Sequence, residues 1–329
     1  MKKIIVNSFA KINISLDVCG VREDGYHEVE TFMQAVDLAD AVMVRWFPFE
    51  SRKDIPEGAE RPTGVEIEIS TNRPYIPNDE RNLAYKAAQA MVDRFGANHA
   101  GDKLRIDIKK RIPVAAGLAG GSGNAAAVLH ALNKLWGLKL DVAQLCEVGA
   151  SLGADVPFCV MTVAATNLCL GSKINKHPLA ITAAIGRGTG SDVIAATPLE
   201  AYAVLSKPNV KISTKEVYEG IDEEIEKAEK EGIHIHHPRA DVIENALKTG
   251  DEALLAEEMG NTLELYTLKR YSAVATTKSM LRNEGHPLKV MMSGSGPTVF
   301  AIYKDKTEAK EAAHILKKKN RQTFAIRTI

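Results

Sequence analysis

The sequence predicts an α+β fold, and three observations favour it. Alternating apolar and polar residues, the pattern of half-buried strands, recur through the first part of the chain. Helical patterns dominate the later part, and a glycine-rich loop near the middle leads into a helix. Strands that come mostly first, with helices inserted and following, favour α+β over a doubly wound sheet. A chain of 329 residues has room for about two domains.

The composition is that of an ordinary globular protein, with 45% hydrophobic and 26% charged residues. Lysine plus arginine and aspartate plus glutamate both number 42, so there is no basic excess for a nucleic-acid partner. No apolar run is long enough to span a membrane and no signal peptide is visible, so we expect a cytoplasmic protein without a membrane partner. The four cysteines form no C-x-x-C pair, which argues against a zinc or redox motif.

The spacing of apolar residues predicts the helices and strands of the first half of the chain. Strands are predicted over residues 12–18, 41–49, 65–69 and 104–108, with a turn at 21–25 and a helix over residues 82–95. After the glycine loop, a helix over residues 124–136 is expected to end at Gly137. Asp141 and Gln144 form a capping-box pattern that opens another helix, ending at residues 149–153.

The second half is predicted to be mainly helical. Helices are expected over residues 216–231, 241–247, 252–260, 269–283 and 307–319, and strands over residues 289–292, 298–303 and 324–329. The predicted division is an N-terminal domain of residues 1–165, an atypical connecting segment of residues 166–200, and a C-terminal domain of residues 201–329.

The loop sequence PVAAGLAGGSGNAAAVL, residues 113–129, suggests a nucleotide site of some kind. Residues 121–126 match the dinucleotide pattern G-x-G-x-x-A, and Asp141 lies at the distance of a ribose-binding acid. The context argues against that fold, because the preceding residues 103–110 alternate apolar and charged and Pro113 interrupts the approach to the loop. A P-loop is also excluded, because Asn124 stands where its lysine is required.

A different phosphate-binding loop is the interpretation that remains, beside a structural alternative. Gly117, Gly120, Gly121 and Gly123 let backbone N–H groups turn towards one ligand, and the helix that follows favours an anion at its N-terminus. The alternative is a helix-entry loop that needs small residues for close packing.

Other segments carry polar groups at informative positions. Lys11 and Asn13 share one strand face and form a small polar site, unless Lys11 points to solvent. Tyr26 and His27 follow an Asp-Gly turn and either stack on a flat ligand or lie on the surface. Asp155 lies in an apolar segment, where Pro157 is expected to fix an extended path. Burial of that carboxylate calls for a cationic partner such as Lys11.

Two further motifs are more ambiguous. The segment MMSGSGPTVF forms either a second loop whose N–H groups close over phosphates or substrate, or a simple β-turn. The segment HIHHPRAD brings His234, His236 and His237 together without a carboxylate or cysteine at metal-ligand spacing, so we expect these rings to face solvent.

Taken together, these segments resemble the GHMP small-molecule kinases over most of the chain. The motifs that carry the resemblance, in the same order as in that family, are AKINISLDVCGVREDGYHEVETFMQ, KKRIPVAAGLAGGSGNAAAVL, LGADVPFCV, STKEVY, NTLE and MMSGSGPTVF. The resemblance implies an α+β fold with an N-terminal domain of the ribosomal protein S5 domain 2 type and a C-terminal ferredoxin-like domain. It also implies ATP and Mg²⁺ as cofactors.

The pair A-K-I-N and D-G-Y-H discriminates within the superfamily. It implies that the acceptor is a cytidine diphosphate-linked methylerythritol, phosphorylated by ATP at its 2-hydroxyl in the non-mevalonate isoprenoid pathway. The alternatives are a GHMP kinase for homoserine, a sugar or a mevalonate-type alcohol, and a non-catalytic nucleotide-binding homologue.

The resemblance also implies roles for individual residues. Lys11 and Asp155 match the catalytic lysine and carboxylate of the family. The residues that match its substrate site are Asn13, Tyr26, His27, Thr214 and Tyr218. The residues that match its nucleotide site are Asn82, Lys110, Pro113, Ala115, Gly117, Leu118, Ala119, Gly120, Gly121, Ser122, Gly123 and Asn124.

The chain departs from the family pattern at two places. Many members have a second small hydroxyl residue where this chain has Gly123, so Ser122 or water would have to serve the metal. Residues 161–199 also differ from the short glycine-rich strand pair that the family pattern implies.

Overall fold

The computed structural model describes residues 1–51, 60 and 62–329, which form two compact units. The first unit contains Met1–Phe9, Ala39–Ile112 and Ala119–Ile181, and the second contains Ala10–Leu38, Pro113–Leu118 and Thr182–Ile329. The units interleave along the chain, because the long strands β1 (Lys2–Val21) and β2 (His27–Phe47) contribute residues to both. The predicted division at residues 165 and 200 stays a prediction.

The first unit combines strands with a group of helices. The second half of β2 pairs antiparallel with β4 (Lys103–Lys109), and β4 pairs parallel with β3 (Glu66–Thr71). The helices are α1 (Leu83–Phe95), α2 (Gly120–Trp136), α3 (Val142–Ala150), α4 (Val156–Thr166) and α5 (Ser172–Asn175). Helix α2 is the centre of this unit: its alanine-rich middle is fully buried and packs against α1 and α4.

The second unit contains an antiparallel sheet in the order β11-β7-β10-β9. Its strands are β7 (Tyr202–Lys207), β9 (Lys289–Met292), β10 (Val299–Tyr303) and β11 (Gln322–Arg327). The helices are α6 (Thr214–Lys230), α7 (Ala240–Thr249), α8 (Glu252–Glu258), α9 (Glu264–Arg270), α10 (Ser272–Arg282) and α11 (Lys306–Lys317). Helices α10 and α11 pack on this sheet, which is the arrangement expected of an α+β domain.

The first half of β2 belongs to the second unit and carries a hairpin there. Strand β5 (Ala183–Arg187) pairs antiparallel with β2, with Thr31 opposite Gly186, and β6 (Asp192–Ala195) pairs with β5. Strand β8 (Gly260–Asn261) pairs parallel with β1 at Ser15 and Leu16. The segment that looked atypical in sequence therefore has regular structure.

Three local predictions need correction. The helix expected from residue 124 begins at Gly120, so the last glycines of the loop form its first turn. The helix expected over residues 269–283 is two helices, α9 and α10, separated at Tyr271, whose backbone is not helical and whose hydroxyl donates to Glu216. The extended path expected after Asp155 is the start of α4, because Pro157 lies in the first turn, where a missing N–H removes no hydrogen bond.

Candidate active site

Strand β1 presents Lys11 and Asn13 on one buried face in the second unit. The Lys11 ammonium donates to Asn13 Oδ1 at 2.7 Å, and both side chains are buried. The Lys11 backbone N–H donates to the carbonyl of Leu118 at 3.2 Å, which joins the strand to the glycine loop. The structure therefore brings Lys11 and Asn13 together as predicted from their spacing, and Lys11 does not point to solvent.

The aromatic turn and helix α6 form a second polar and aromatic group in the same unit. The rings of His27 and Tyr218 lie 5.0 Å apart with an interplanar angle of 41°. Tyr26 is exposed on the turn that precedes β2. The structure thus joins His27 and Tyr218, which lie far apart in the sequence, and leaves the ring of Tyr26 open to solvent.

Asp222 completes this group and was missed by the sequence analysis. Its Oδ1 lies 2.9 Å from His27 Nε2. A carboxylate only accepts hydrogen bonds, so His27 Nε2 is the donor in this contact, and in the tautomer that fits it Nδ1 carries no hydrogen. The available signal was the spacing: Asp222 follows Tyr218 by one helical turn, and residues at this spacing share a helix face.

The Ser-Gly turn after β9 packs against the glycine loop within the second unit. Ser293 Oγ donates to the Gly117 carbonyl at 2.8 Å, and Thr214 Oγ1 lies 2.9 Å from Ser295 Oγ. Gly117 has a φ of +71°, and a Cβ there would lie 2.2 Å from the Ser293 carbonyl oxygen. The turn therefore fixes the loop backbone, which requires glycine at position 117.

The loop backbone leads into α2 with donors that no side chain caps. Ala115 and Ala119 have φ values of 48° and 54°, which is unusual for residues with a Cβ. Ala119 is the N-cap of α2 and provides no side-chain hydrogen bond, while Gly121 is exposed. An uncapped helix N-terminus next to left-handed backbone fits the phosphates of a nucleotide.

Lys110 and Asn124 lie in a buried network around Asp40 in the first unit. Asp40 accepts from the backbone N–H groups of Arg111 and Ile112 at 2.7 and 2.9 Å, from Asn124 Nδ2 at 2.9 Å, and from the Lys110 ammonium. Lys110 Nζ also lies 2.9 Å from Asn124 Oδ1 and 3.4 Å from the Gly120 carbonyl. The network holds the end of β4 against the start of α2.

The sequence analysis missed Asp40, although the alternation of buried and exposed positions along β2 indicates that its side chain is buried. Asp40 has the same parity in β2 as Val42 and Val44, which are fully buried, whereas Asp37 has the opposite parity and is exposed. A carboxylate on the apolar face of a strand requires partners. Lys110 supplies the charge, and the backbone supplies the remaining donors.

Two other predicted nucleotide residues have clear local surroundings. Asn82 caps α1, since its side chain accepts from Ala84 N at 3.0 Å and donates to the Pro77 carbonyl at 2.9 Å. At Gly123 a Cβ would lie 2.3 Å from Ser8 Oγ. The hydroxyl of Ser8 therefore occupies the space that a side chain at position 123 would need.

Asp155 is the N-cap of α4 and is half-buried. Its backbone carbonyl accepts from Cys159 N at 3.1 Å, and no side-chain capping bond is made to the helix. The structure therefore places the predicted catalytic carboxylate at the first turn of α4.

The remaining predictions concern metals, histidines and membranes. In the part of the chain that the structure describes, no three His, Cys, Asp or Glu side chains are placed to hold a metal ion. His234, His236 and His237 are exposed as predicted, and His237 Nδ1 lies 2.9 Å from Asp17 Oδ1. No helix among the described residues has the length and apolar character needed to cross a bilayer.

Comparisons with known proteins agree with this geometry. Residues 82–163 match the GHMP kinases N terminal domain, and residues 243–322 match the GHMP kinases C terminal domain. A 4-diphosphocytidyl-2-C-methyl-D-erythritol kinase from Alkaliphilus metalliredigens is 41% identical over 100% of this chain and 97% of its own length. Another kinase of this name, from Geobacillus thermodenitrificans, is 38% identical over 99% of this chain and 97% of its own length. The chain belongs to this GHMP kinase family.

Solved structures agree with the family assignment. The crystal structure of a 4-(cytidine 5'-diphospho)-2C-methyl-D-erythritol kinase has a TM-score of 0.72 and 27% identity, and covers 99% of both chains. A homoserine kinase from Cytophaga hutchinsonii, with a TM-score of 0.62 and 19% identity, shares the fold. The predicted family and the predicted α+β fold are therefore confirmed, and membership of this kinase family implies the use of ATP.

Proposed function

We propose that this GHMP kinase transfers the γ-phosphoryl group of ATP to the 2-hydroxyl of 4-diphosphocytidyl-2-C-methyl-D-erythritol. Relatives with this name align over the full length of the chain. The structural observation that carries the proposal is the group of His27, Tyr218 and Asp222, because it suits a flat base and the acceptors of the other GHMP kinases have none.

His27 and Asp222 give this group a preference for cytosine. The tautomer of His27 that donates from Nε2 to Asp222 offers Nδ1 as an acceptor. The exocyclic amino group of cytosine donates a hydrogen bond, whereas the corresponding oxygen of uracil accepts one. Tyr218 and the exposed Tyr26 supply rings that stack on the base.

Lys11, Asn13 and Asp155 act on the acceptor hydroxyl. Asp155 takes or orients its proton, and the Lys11 ammonium stabilises the negative charge that develops on the oxygen as it attacks phosphorus. Asn13 orients Lys11 through the 2.7 Å hydrogen bond between them and contacts the acceptor. The acceptor oxygen bonds to the γ-phosphorus as the bond to the β-phosphate oxygen breaks, which releases ADP.

The loop of residues 113–124 binds the phosphates of ATP through backbone N–H groups at the start of α2. Mg²⁺, when bound, would neutralise the charge of the phosphates. Ser122, half-buried in the first turn of α2, is the hydroxyl we propose for it. The cytoplasmic location stays a prediction, to be checked by fractionation.

Asp155→Ala tests the catalytic assignment. A general base contributes a factor of about 10²–10⁴, so we expect kcat to fall by at least that order while the affinity for ATP changes little. The measurement is steady-state transfer from ATP to the cytidyl substrate, with nucleotide affinity measured separately by titration. Turnover of the variant at close to the wild-type rate would show that Asp155 is not catalytic.

The substrate itself is tested with a panel. We expect phosphorylation of the cytidyl substrate, a markedly lower kcat/KM for the uridine analogue, and no transfer to homoserine, galactose or mevalonate. Transfer to one of these last acceptors without transfer to the cytidyl substrate would overturn the proposed function. Binding of ATP without any transfer would identify the chain as a non-catalytic homologue.

A further inference from the structure

Lys11 is held by a chain of hydrogen bonds that continues beyond Asn13. Asn13 Nδ2 donates to Thr31 Oγ1 at 2.7 Å, and Thr31 Oγ1 donates to the backbone carbonyl of Ser15 at 2.7 Å. With the bond from Lys11 to Asn13, three bonds of equal length run in series through the second unit. All four residues are buried, so water does not compete for these groups.

The direction of every bond in this chain is fixed by chemistry. An ammonium only donates, so Asn13 must present its carbonyl oxygen to Lys11. The Asn13 amide nitrogen then faces Thr31, whose oxygen must accept and whose single hydrogen must go to Ser15. If the amide flipped, two donors would face each other at Lys11, which makes the observed arrangement the one that satisfies every group.

We propose that Thr31 is a positioning residue for phosphoryl transfer, because its hydroxyl fixes the amide orientation of Asn13 and, through it, the ammonium of Lys11. This inference rests on the proposed function, in which Lys11 and Asn13 contact the acceptor. Thr31 itself contacts no reacting atom. Its role matters because a displacement of about 1 Å in a positioned group can lower a rate about 10²-fold.

Thr31→Val removes the hydroxyl with little change of shape. The methyl group of Thr31 packs near Gly186, where a Cβ would lie 3.3 Å from Thr31 Cγ2, and valine keeps that methyl group. Valine is also favoured in strands, so β2 is expected to form normally. Without the hydroxyl, Asn13 Nδ2 loses its acceptor, and the amide is no longer held in one orientation.

A matched control is available in the same unit. Thr267 on α9 is fully buried, and its hydroxyl has no hydrogen-bond partner among the described residues. Thr267→Val therefore makes the same chemical change at a buried site without breaking a hydrogen bond. It separates the loss of the hydrogen-bond chain from a general effect of replacing a buried threonine.

The experiment measures kcat and the KM values for ATP and the cytidyl substrate. We expect Thr31→Val to lower kcat about 10- to 100-fold with the KM for ATP unchanged, Thr31→Ser to restore kcat, and Thr267→Val to leave it unchanged. In an Asn13→Ala background Thr31→Val should have no further effect, because the residue through which it acts is gone. If Thr31→Val does not fold, Thr31→Ala replaces it in the same series.

The outcomes separate the inference from the proposed function. If Lys11→Met and Asn13→Ala lower kcat but Thr31→Val does not, or if Thr31→Val has its full effect in the Asn13→Ala background, the positioning role is wrong and the proposed function stands. If Lys11→Met and Asn13→Ala leave kcat unchanged, the proposed roles of these residues fail, and the inference fails with them.

Discussion

At the scale of single residues, Gly117 shows how closely the loop backbone is constrained. Its φ is +71°, and a Cβ would lie 2.2 Å from the carbonyl oxygen of Ser293. Gly117→Ala combines left-handed strain of about 1–2 kcal/mol with a backbone clash, so we expect the free energy of unfolding to fall by at least about 2 kcal/mol. Urea unfolding followed by circular dichroism measures this loss.

Gly121 provides the matched control for this prediction. It lies in the first turn of α2, and a Cβ there would meet no atom within 4 Å. Alanine is favoured over glycine in a helix by about 0.5–1 kcal/mol, so Gly121→Ala should retain or slightly raise stability. Equal stability of the two variants would show that the contact between Gly117 and Ser293 does not constrain the loop.

At the scale of elements, His130 couples the packing of α2 and α4 to pH. It is fully buried in α2 and its Nε2 lies 2.9 Å from the Val160 carbonyl. Burial lowers the pKa of His130 from 6.5 to about 4. Between these values the unfolded chain binds a proton and the folded chain does not, so stability is full above pH 6.5 and falls as the pH drops towards 4.

We therefore expect the unfolding free energy to be about 2 kcal/mol lower at pH 5 than at pH 7.5 from this residue alone. His130→Gln keeps a donor for Val160 but does not titrate, so it should remove that part of the pH dependence. His314→Gln is the control, because His314 is an exposed histidine on α11. Urea unfolding at both pH values makes the comparison, and an unchanged pH dependence in His130→Gln would contradict the assignment.

The elements were largely predictable from the sequence, and the wrong predictions have identifiable causes. The capping box of Asp141 and Gln144 is present as predicted, because its bonds join residues three apart. The break at Tyr271 was not predictable, because no glycine or proline marks it in the sequence. The sequence likewise gave no sign that the Ser8 hydroxyl fills the space beside Gly123.

At the scale of the whole molecule, the site depends on contacts between distant parts of the sequence. Motifs indicated Lys11, Asn13 and His27, but not the groups that orient them. His27 meets Asp222, 195 residues later, and Asn13 meets Thr31 across two strands. Periodicity describes which face a side chain lies on, but pairing between elements decides which side chains meet on that face.

Binding of ATP should stabilise the whole molecule, because the loop donors exist in the folded chain and not in the unfolded one. At ATP·Mg²⁺ concentrations of about 100 times Kd, linkage adds about 2.7 kcal/mol to the free energy of unfolding. We expect Tm to rise by about 4 °C and to depend on ATP concentration. NAD at the same concentration should give no shift, because the loop is not part of a dinucleotide-binding fold. Asp155→Ala should keep the ATP shift, since Asp155 acts on the acceptor. A shift with NAD but not with ATP would contradict the assignment of the loop.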